Sequence, residues 1–590
     1  MTRIGFILLA LLTQAVTAHA FKTIALIGDD VSLPGNPALF LDSIADAEVS
    51  DNGRVVFTGT VTAQSGSRSV LLTHDGTDLS LLHRASDPVV GQPIGTTFTG
   101  FNLPEINNSG EVSYRGGLRD ELGSFRSIVA KTSGGVPNVL ARTGQQAPGS
   151  AANYSSFPTR PQLNNAGHVA FNAVLSTADE GVWAERGSSL QKIAVTNDSI
   201  GPGNHLRGVG NTLTTVGLND SGTVAFDVSY THPGEPFLRT GILSDSGSGL
   251  VPIVLQQVTN TNFGTVTGFE RVINSDLSGT LPEINDSGET AFVTGFTESF
   301  SPLIQGNRVW KKSGDNFEEI ARRDEPAPGV PGKTLEINGR YQPLINNSGH
   351  VTIMQSLRIS GGRGIWSDRS GSLELVSLEG VTAPGLEAGE SRRRNTAFLP
   401  SFNDNDTIVF GSEIFPSDDR GVWASLSNGV TNLLVREGSM IDVNADPLVT
   451  ELRTVSTIST VGESFRRFKL TETDEVLLKL SFVGGGSGIF LVPATETSIH
   501  PGTGDYNADG IVDAADYTIW RDSLGQSGAG LAADGDGNGV IDQQDYNIWV
   551  DTFGQQIVTN SSSAATNTIP EPGALALLAM LCCIPMVRRK

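Results

Sequence analysis

The chain reads as an all-β protein, a single eight-bladed β-propeller closed by its own N-terminal strand and followed by a small α calcium-binding domain. Three observations predict this. One short peptide returns eight times at a mean spacing of about 60 residues. The first and last repeats are each incomplete, and in complementary ways. Near the C-terminus an acidic segment carries the same twelve-residue loop twice, each copy leading into a helix.

The recurring peptide is clearest at Leu103 to Val112, Pro161 to Phe171, Leu218 to Phe226, Ile284 to Gly288 and Ile345 to Gly349, with degenerate copies at Val49 to Phe57, Phe402 to Phe410 and Leu470 to Val476. Aligned on one position, the anchors are Gly53, Gly110, Gly167, Gly222, Gly288, Gly349, Asp406 and Asp474. Its Asn-x-x-Gly core is turn chemistry: the Asn side chain closes a turn on its own backbone, and Gly takes the left-handed position. After each turn come three short runs of β-formers, such as Val169-Ala170-Phe171, Gly181 to Ala184 and Gln191 to Ala194. A Pro-Gly pair often follows the third run, as at Pro148-Gly149, Pro328-Gly329 and Pro384-Gly385, and specifies a type II turn. Sixty residues exceed a β-helix rung and fall short of an immunoglobulin-like sandwich, so each unit is read as a four-stranded blade.

Thr23 to Gly35 matches the third run and turn of a unit with nothing before it, while the last unit, Val476 to Val492, lacks a third run. One end therefore completes the other's blade and removes the exposed edges of the ring. The ring spans residues 21–494, with seven blades the alternative if one degenerate unit is not a blade.

Composition narrows the function. With 40 basic against 63 acidic residues the net charge is −23, which repels nucleic acid, and no nucleic-acid partner is expected. The only cysteines, Cys582 and Cys583, lie at the far C-terminal end, so the body has neither disulfides nor thiolate metal sites. Residues 1–20 read as a cleaved secretory signal: Arg3, an apolar run to Leu12, then Ala18-His19-Ala20. Residues 495–503 and 557–568 read as linkers, the second rich in Ser, Thr and Asn. The tail, 569–590, holds Pro570-Glu571-Pro572, an apolar stretch from Gly573 to Val587, and Arg588-Arg589-Lys590. It resembles the PEP-CTERM sorting signals of Gram-negative bacteria. That resemblance implies an exosortase-type processing enzyme, a transmembrane helix inserted transiently or permanently in the inner membrane as a C-terminal anchor, and a final place at the cell surface or in the extracellular matrix.

Residues 504–556 hold ten Asp and one Arg. Asp505, Asn507, Asp509, Ile511, Asp513 and Asp516 stand at positions 1, 3, 5, 7, 9 and 12 of a calcium loop, with Gly510 at position 6. Asp534, Asp536, Asn538, Val540, Asp542 and Asp545 repeat the pattern, with Gly539 at position 6. Calcium takes six to eight oxygens, alternate loop residues present them inward, and Gly allows the turn, so two calcium ions are expected. Helices are expected at Tyr517 to Leu524 and Tyr546 to Phe553, each with apolar residues on one face. No helix precedes either loop, and position 12 is Asp rather than Glu. The segment resembles type I dockerin domains, which implies folding on calcium and a cohesin-like protein partner. Positions 10 and 11, Ser-Thr in the best-known dockerins, are here Ala514-Ala515 and Gln543-Gln544.

The repeats themselves resemble exported bacterial proteins with tandem Asn-x-x-Gly-x-x-Ala-Phe motifs, best at Asn164 to Phe171, Asn219 to Phe226 and Asn285 to Phe292. That resemblance implies no activity. There is no Gly-x-Ser-x-Gly, His-Glu-x-x-His or phosphate loop, and the histidines are scattered. Glu105 and Glu283 share one repeat position, Arg392-Arg393-Arg394 is the basic run of the body, read as a solvated loop, and Trp183, Trp310, Trp366 and Trp423 recur as blade packing. No catalytic residue is assigned. The expected function is that of an exported noncatalytic propeller binding or organising surface or matrix material, such as extracellular polysaccharide, with the dockerin-like module for attachment. The alternative is an enzyme of the glycoside-hydrolase type, acting on O-glycosyl bonds, or a subunit of a dockerin-tethered complex.

Overall fold

The computed structural model describes residues 21–554 apart from internal stretches, the longest of them 269–282. Eight antiparallel sheets follow one another around an axis. Blade 1 is built from Phe40–Val49, Val55–Ala63, Gly66–His74 and Leu79–Arg84, and blade 2 from Thr97–Ile106, Val112–Arg119, Phe125–Ser133 and Val136–Arg142. Blades 3 to 7 repeat the plan with second strands at Val169–Leu175, Val224–Thr231, Thr290–Phe300, Val351–Leu357 and Ile408–Phe415. In blade 8 the strands Leu452–Ser459, Glu475–Phe482 and Ser487–Pro493 are completed by the N-terminal Lys22–Leu26, which pairs antiparallel with Ser487–Pro493, Lys22 opposite Leu491. The ring is eight-bladed and closed as the two incomplete repeats require.

From blade 3 onward the first strand is interrupted, whereas in blades 1 and 2 it is one continuous, bulged strand. In blade 3, Tyr154–Ser156 and Gln162–Leu163 pair with opposite ends of the second strand. The short inner pieces touch their neighbours in succession, and that of blade 8 meets the first strand of blade 1 to close the circle around the axis. They are too short to show alternation, which is why the repeat alone displayed only three clear runs. The second and third strands are buried on both faces, since each blade is sandwiched between two others. Val169–Leu175 has one residue short of full burial, and four of the five residues in Arg363–Ser367 are buried.

The repeat tryptophans pack between blades, as expected. Trp183, Trp366 and Trp423 are fully buried, and Trp183 lies in one apolar cluster with Val129 and Ala141 of blade 2. Their indole N–H groups also tie down the Pro-Gly turns: Trp183 donates to the Pro148 carbonyl at 3.1 Å, Trp366 to Pro328 at 2.9 Å and Trp423 to Pro384 at 3.0 Å. Gly385 sits at φ 77° with a Cβ position only 2.7 Å from the Leu433 Cβ, so both the turn and the close approach exclude a side chain.

The Asn-x-x-Gly turns join the blades as well as closing themselves. Asn164 Oδ1 accepts from the His168 N–H at 2.8 Å, closing its own turn, while Asn164 Nδ2 donates to the Asn219 carbonyl of the next blade at 3.0 Å. The same link runs from Asn107 to Asn164, Asn219 to Asn285, Asn285 to Asn346, Asn346 to Asn403 and Asn403 to Thr471, at 2.8 to 3.1 Å. All six donors are buried. In blades 7 and 8 Asp406 and Asp474 occupy the left-handed position at φ 62° and 60°. Their carboxylates accept from Asn346 Nδ2 and Asn403 Nδ2, both at 2.8 Å, a bond that offsets the backbone cost.

After the ring come two helices, α1 (Ala514–Ser523) and α2 (Gln543–Thr552). Each begins three residues before the expected start. In α1 the cause is Asp513, whose carboxylate caps Ala515 N–H at 2.7 Å while Asp516 reaches back to the Asp513 N–H at 2.8 Å. The expected apolar face is also narrower: Trp520 is buried, but Leu524 and Phe553 are exposed. Two further expectations are corrected. Arg392 belongs to the strand Ser391–Arg394 of blade 7 and is buried, its Nη1 donating to Ser377 Oγ at 2.5 Å, so the basic run is not a solvated loop. The transmembrane helix, the membrane insertion of the tail and the inner-membrane anchor are not upheld: among the described residues no helix is long and apolar enough to cross a membrane. The fifteen-residue stretch 573–587 falls short of the ~20 that span a bilayer, and it lies outside the described residues.

The bridging asparagines carry a measurable share of stability. Asn219 accepts from Thr223 N–H at 2.7 Å and Ser221 Oγ at 2.8 Å and donates to Asn285 O at 2.8 Å. At about 1 kcal/mol per hydrogen bond, with orphaned partners adding to it, Asn219→Ala is expected to cost ~3 kcal/mol in urea denaturation.

Candidate functional site

Two places gather chemistry-bearing side chains, the inner strands near the axis and the loops of the helical module. The inner strands of a propeller converge, so residues distant in sequence meet there. Arg160 of blade 3, 4% exposed, reaches Glu48 of blade 1 with Nη1, which also lies 2.8 Å from the Pro104 carbonyl and 3.5 Å from Glu105 Oε1 of blade 2. Lys469 of blade 8 stands 2.6 Å from the same Glu48 Oε1, and Gln162 Nε2 donates to Glu105 Oε1 at 3.4 Å. Arg467 of blade 8 crosses to Glu283 of blade 5 at 2.9 Å. Burial first, and the neighbouring Glu48 second, push the Glu105 carboxyl above the usual range, against the pull of Arg160 and Lys469.

Glu105 and Glu283 do share a repeat position, yet the cations that meet them, Arg160 and Arg467, come four residues before the turn, where the other blades carry no base. Spacing within the repeat could have flagged these two arginines as departures; their partners, three blades away in the case of Glu283, could not have been read from it. Two histidines have structural partners: His83 is buried, its ring 2.8 Å from Thr132 Oγ1 and its pKa pushed down to about 4 by burial, and His350 Nδ1 lies 2.7 Å from Asp406.

A second carboxylate belt follows the asparagines at the turns. Asp51, Asn108, Asn165, Asp220, Asp286, Asn347, Asp404 and Glu472 stand one residue after the bridging position. Most accept the equivalent N–H of the preceding blade: Asn165 N to Asp220 at 2.8 Å, Asp286 N to Asn347 at 2.8 Å, Asp404 N to Glu472 at 2.6 Å. Glu472 is pushed up to about 8, chiefly by burial, with the carboxylates of Asp404, Asp51 and Asp474 adding to it.

In the helical module, Asp516 and Asp545 are fully buried and Asp505 and Asp534 are 5% exposed. Asp516 Oδ1 accepts the N–H of Tyr506 at 2.7 Å and of Asn507 at 2.9 Å, so the first loop wraps around its own twelfth residue. Asp545 accepts the Asp542 N–H at 2.7 Å in the second loop, as Asp516 does that of Asp513. The halves exchange bonds symmetrically: Trp520 Nε1 donates to the Asp542 carbonyl and Trp549 Nε1 to the Asp513 carbonyl, both at 2.8 Å. Tyr517, Trp520, Tyr546 and Trp549 fill the space between the helices. Ile511 and Val540 are exposed, leaving position 7 to act through its backbone. Asp509, Asp536 and Asn538 lie outside the described residues. Among the described residues no cluster of three or more His, Cys, Asp or Glu forms a metal site.

An eight-bladed propeller with charged inner strands and a two-helix acidic appendage is the class of protein these features define. Residues 49–496 match the model of a family of unknown function, DUF7453, and the chain belongs to that family. No curated protein matches it. Among solved structures it is similar to the β-propeller domain of the Trilobed protease from Pyrococcus furiosus, at 9% identity over 67% of this chain and 98% of that one, TM-score 0.35. It is similar also to an oligogalacturonate lyase in complex with manganese, at 12% identity over 67% and 95%, TM-score 0.32. A third is dipeptidyl peptidase 4 of Porphyromonas gingivalis, at 9% identity over 75% and 58%, TM-score 0.38. These likenesses carry no information on what the chain does.

The inner cluster separates buried from exposed charge. Arg160→Met leaves Glu48 and Glu105 crowded together and is expected to cost ~3–5 kcal/mol. Arg467→Met, at a half-exposed pair, is expected to cost under about 1 kcal/mol in the same denaturation experiment.

Proposed function

We propose that the chain is an exported, noncatalytic propeller that binds or organises extracellular material such as polysaccharide, and that its helical module is a calcium-folded attachment domain. The observation that carries the module's part is the burial of Asp505, Asp516, Asp534 and Asp545 within a segment of ten Asp and one Arg. That one Arg, Arg521, is half exposed and pairs with Asp522 at 2.8 Å. Burying carboxylates costs several kcal/mol each unless charge meets them, and a divalent cation in each loop is the charge this composition permits. Asp505, Asn507, Asp513 and Asp516 would hold one ion with Asp509 and the Ile511 carbonyl, and Asp534, Asp542 and Asp545 the other with Asp536, Asn538 and the Val540 carbonyl. The cation's chemistry here is neutralisation: it lets the loops close so that Trp520 and Trp549 can reach the opposite loop.

For the ring, the noncatalytic reading rests on the engagement of its inner carboxylates by Arg160, Lys469 and Arg467. A hydrolase acting on O-glycosyl bonds is the second reading, favoured by one observation: Glu48 and Glu105 approach the same guanidinium nitrogen, and Glu105 holds its proton to higher pH. Such an acid and base asymmetry is what glycoside hydrolysis uses. Reducing-end release from acidic and neutral polysaccharides, abolished by Glu105→Gln, would establish the enzyme; retention on immobilised polysaccharide without turnover supports the binding reading.

Calorimetric titration of the full chain with calcium is expected to give two ions per chain. Asp516→Asn and Asp545→Asn should each remove one. Chelation should quench the helical signal and shift Trp520 and Trp549 fluorescence while the β-sheet signal persists. No binding at millimolar calcium would overturn the module's assignment.

A further inference from the structure

The chain of asparagine links has a gap, and the gap lies between blades 8 and 1. Six links lead from Asn107 round to Thr471. At the equivalent position blade 8 has Thr471 and blade 1 has Ser50, neither with an amide to send onward. The Thr471 hydroxyl turns to Thr473 and the Glu475 N–H at 2.9 Å, and the Ser50 hydroxyl to Asn52 at 2.8 Å, all within their own turns. The boundary of blade 1 toward blade 8 therefore lacks the bond that repeats around the inner rim, while toward blade 2 Asn52 Nδ2, two residues further on, donates to the Asn108 carbonyl at 3.0 Å in its stead.

Charged groups stand in its place. Toward blade 8, Lys469 meets Glu48 at 2.6 Å, Lys479 Nζ donates to the Ile44 carbonyl at 2.5 Å, and the Glu472 N–H donates to the Asp51 carbonyl at 3.1 Å. Toward blades 2 and 3, Asp46 accepts the Leu103 N–H at 3.2 Å, Arg160 holds Glu48, and Asp51 accepts from Asn108 Nδ2 and Asn165 Nδ2, both at 2.9 Å. Asn52 adds bonds to Asn108 at 3.0 and 3.2 Å. Away from the rim, apolar packing is continuous: Ile24, Leu477, Ile489 and Leu491 share a cluster with Val55, Phe57 and Leu72. The difference is local to the inner edge.

We infer that the inner rim of the ring opens between blades 8 and 1, and that salt and pH control the opening because charged side chains, rather than an asparagine link, hold most of that boundary. The charged groups acting on Glu472 are Asp51 of blade 1, Asp404 of blade 7 and Asp474 of its own turn, all acidic. Those acting on Glu105 are Glu48, Arg160 and Lys469, and Asp46 acts in turn on Arg160. A carboxyl that titrates higher in the folded protein than in the unfolded chain favours the fold while protonated. That support is lost as pH rises from the unfolded value near 4.5 through about 8, the window set by Glu472. Raising the pH adds negative charge on both sides of the gap; raising salt weakens the Lys469 and Glu48 pair by a smaller amount, because only its lysine end is partly exposed.

Hydrogen exchange of the full chain, read by mass spectrometry at pH 6 and pH 9 and corrected for intrinsic rates, tests this directly. Peptides covering 48–54 and 469–475 are expected to lose at least tenfold in protection at pH 9, and by a smaller factor in high salt, while those covering 164–168, 219–223 and 285–289 hold theirs. Glu472→Gln should remove most of the pH response and leave the salt response. Thr471→Asn, which supplies the missing amide toward blade 1, should raise protection at 48–54. Equal changes in all these peptides, or no change in any, would overturn the inference, and the measurement on the unaltered chain decides even if a variant fails to fold.

Discussion

The structure depends on the two-sided use of one side chain. A carboxamide carries an acceptor and a donor on the same rigid plane, so the turn asparagine can close its own hairpin with oxygen while its nitrogen reaches the next blade. Asp has no donor, and Ser, though its hydroxyl both donates and accepts, uses both within its own turn, as Ser50 does with Asn52 and Arg54. Because each of these asparagines is buried, the inter-blade bond forms out of competition with water, and the cost of leaving it unmade is high. The same residue thus sets the shape of the blade and the spacing between blades.

Much of the architecture was legible before any coordinates. The eightfold count, the completion of the last blade by Lys22–Leu26 and the packing role of the tryptophans follow from repeat arithmetic and from the need to eliminate open edges. What stayed hidden was whatever has no local signature. Gln162–Leu163 and its equivalents are two residues long, too few for a period. The asparagine's nitrogen partner sits some 55 to 68 residues away, and nothing in Asn-x-x-Gly announces it. The link between Pro148 and Trp183 joined two features that the repeat displayed separately.

In the helical module the loop pattern misplaced the helix starts, because Asp513 serves as loop residue and helix cap at once. The inner cluster was the least legible. Arg160 and Glu48 are 112 residues apart and belong to blades that are not adjacent, so only the convergence of the inner strands on the axis brings them together. Symmetry had explained Glu105 and Glu283 as repeat positions; the asymmetric bases that meet them are what distinguish one sector of the ring from another.

Every asparagine link ends on a main-chain carbonyl, and a neighbouring side chain accepts in addition at Asp406 and Asp474. Apart from those two carboxylates, each blade asks of its neighbour only the presence of a backbone in the right place. A gene encoding such a ring can duplicate, lose or exchange whole repeats without having to coordinate changes across an interface. The number of blades is then an inheritance set by the wedge shape of the sheets, open to revision by a single recombination event.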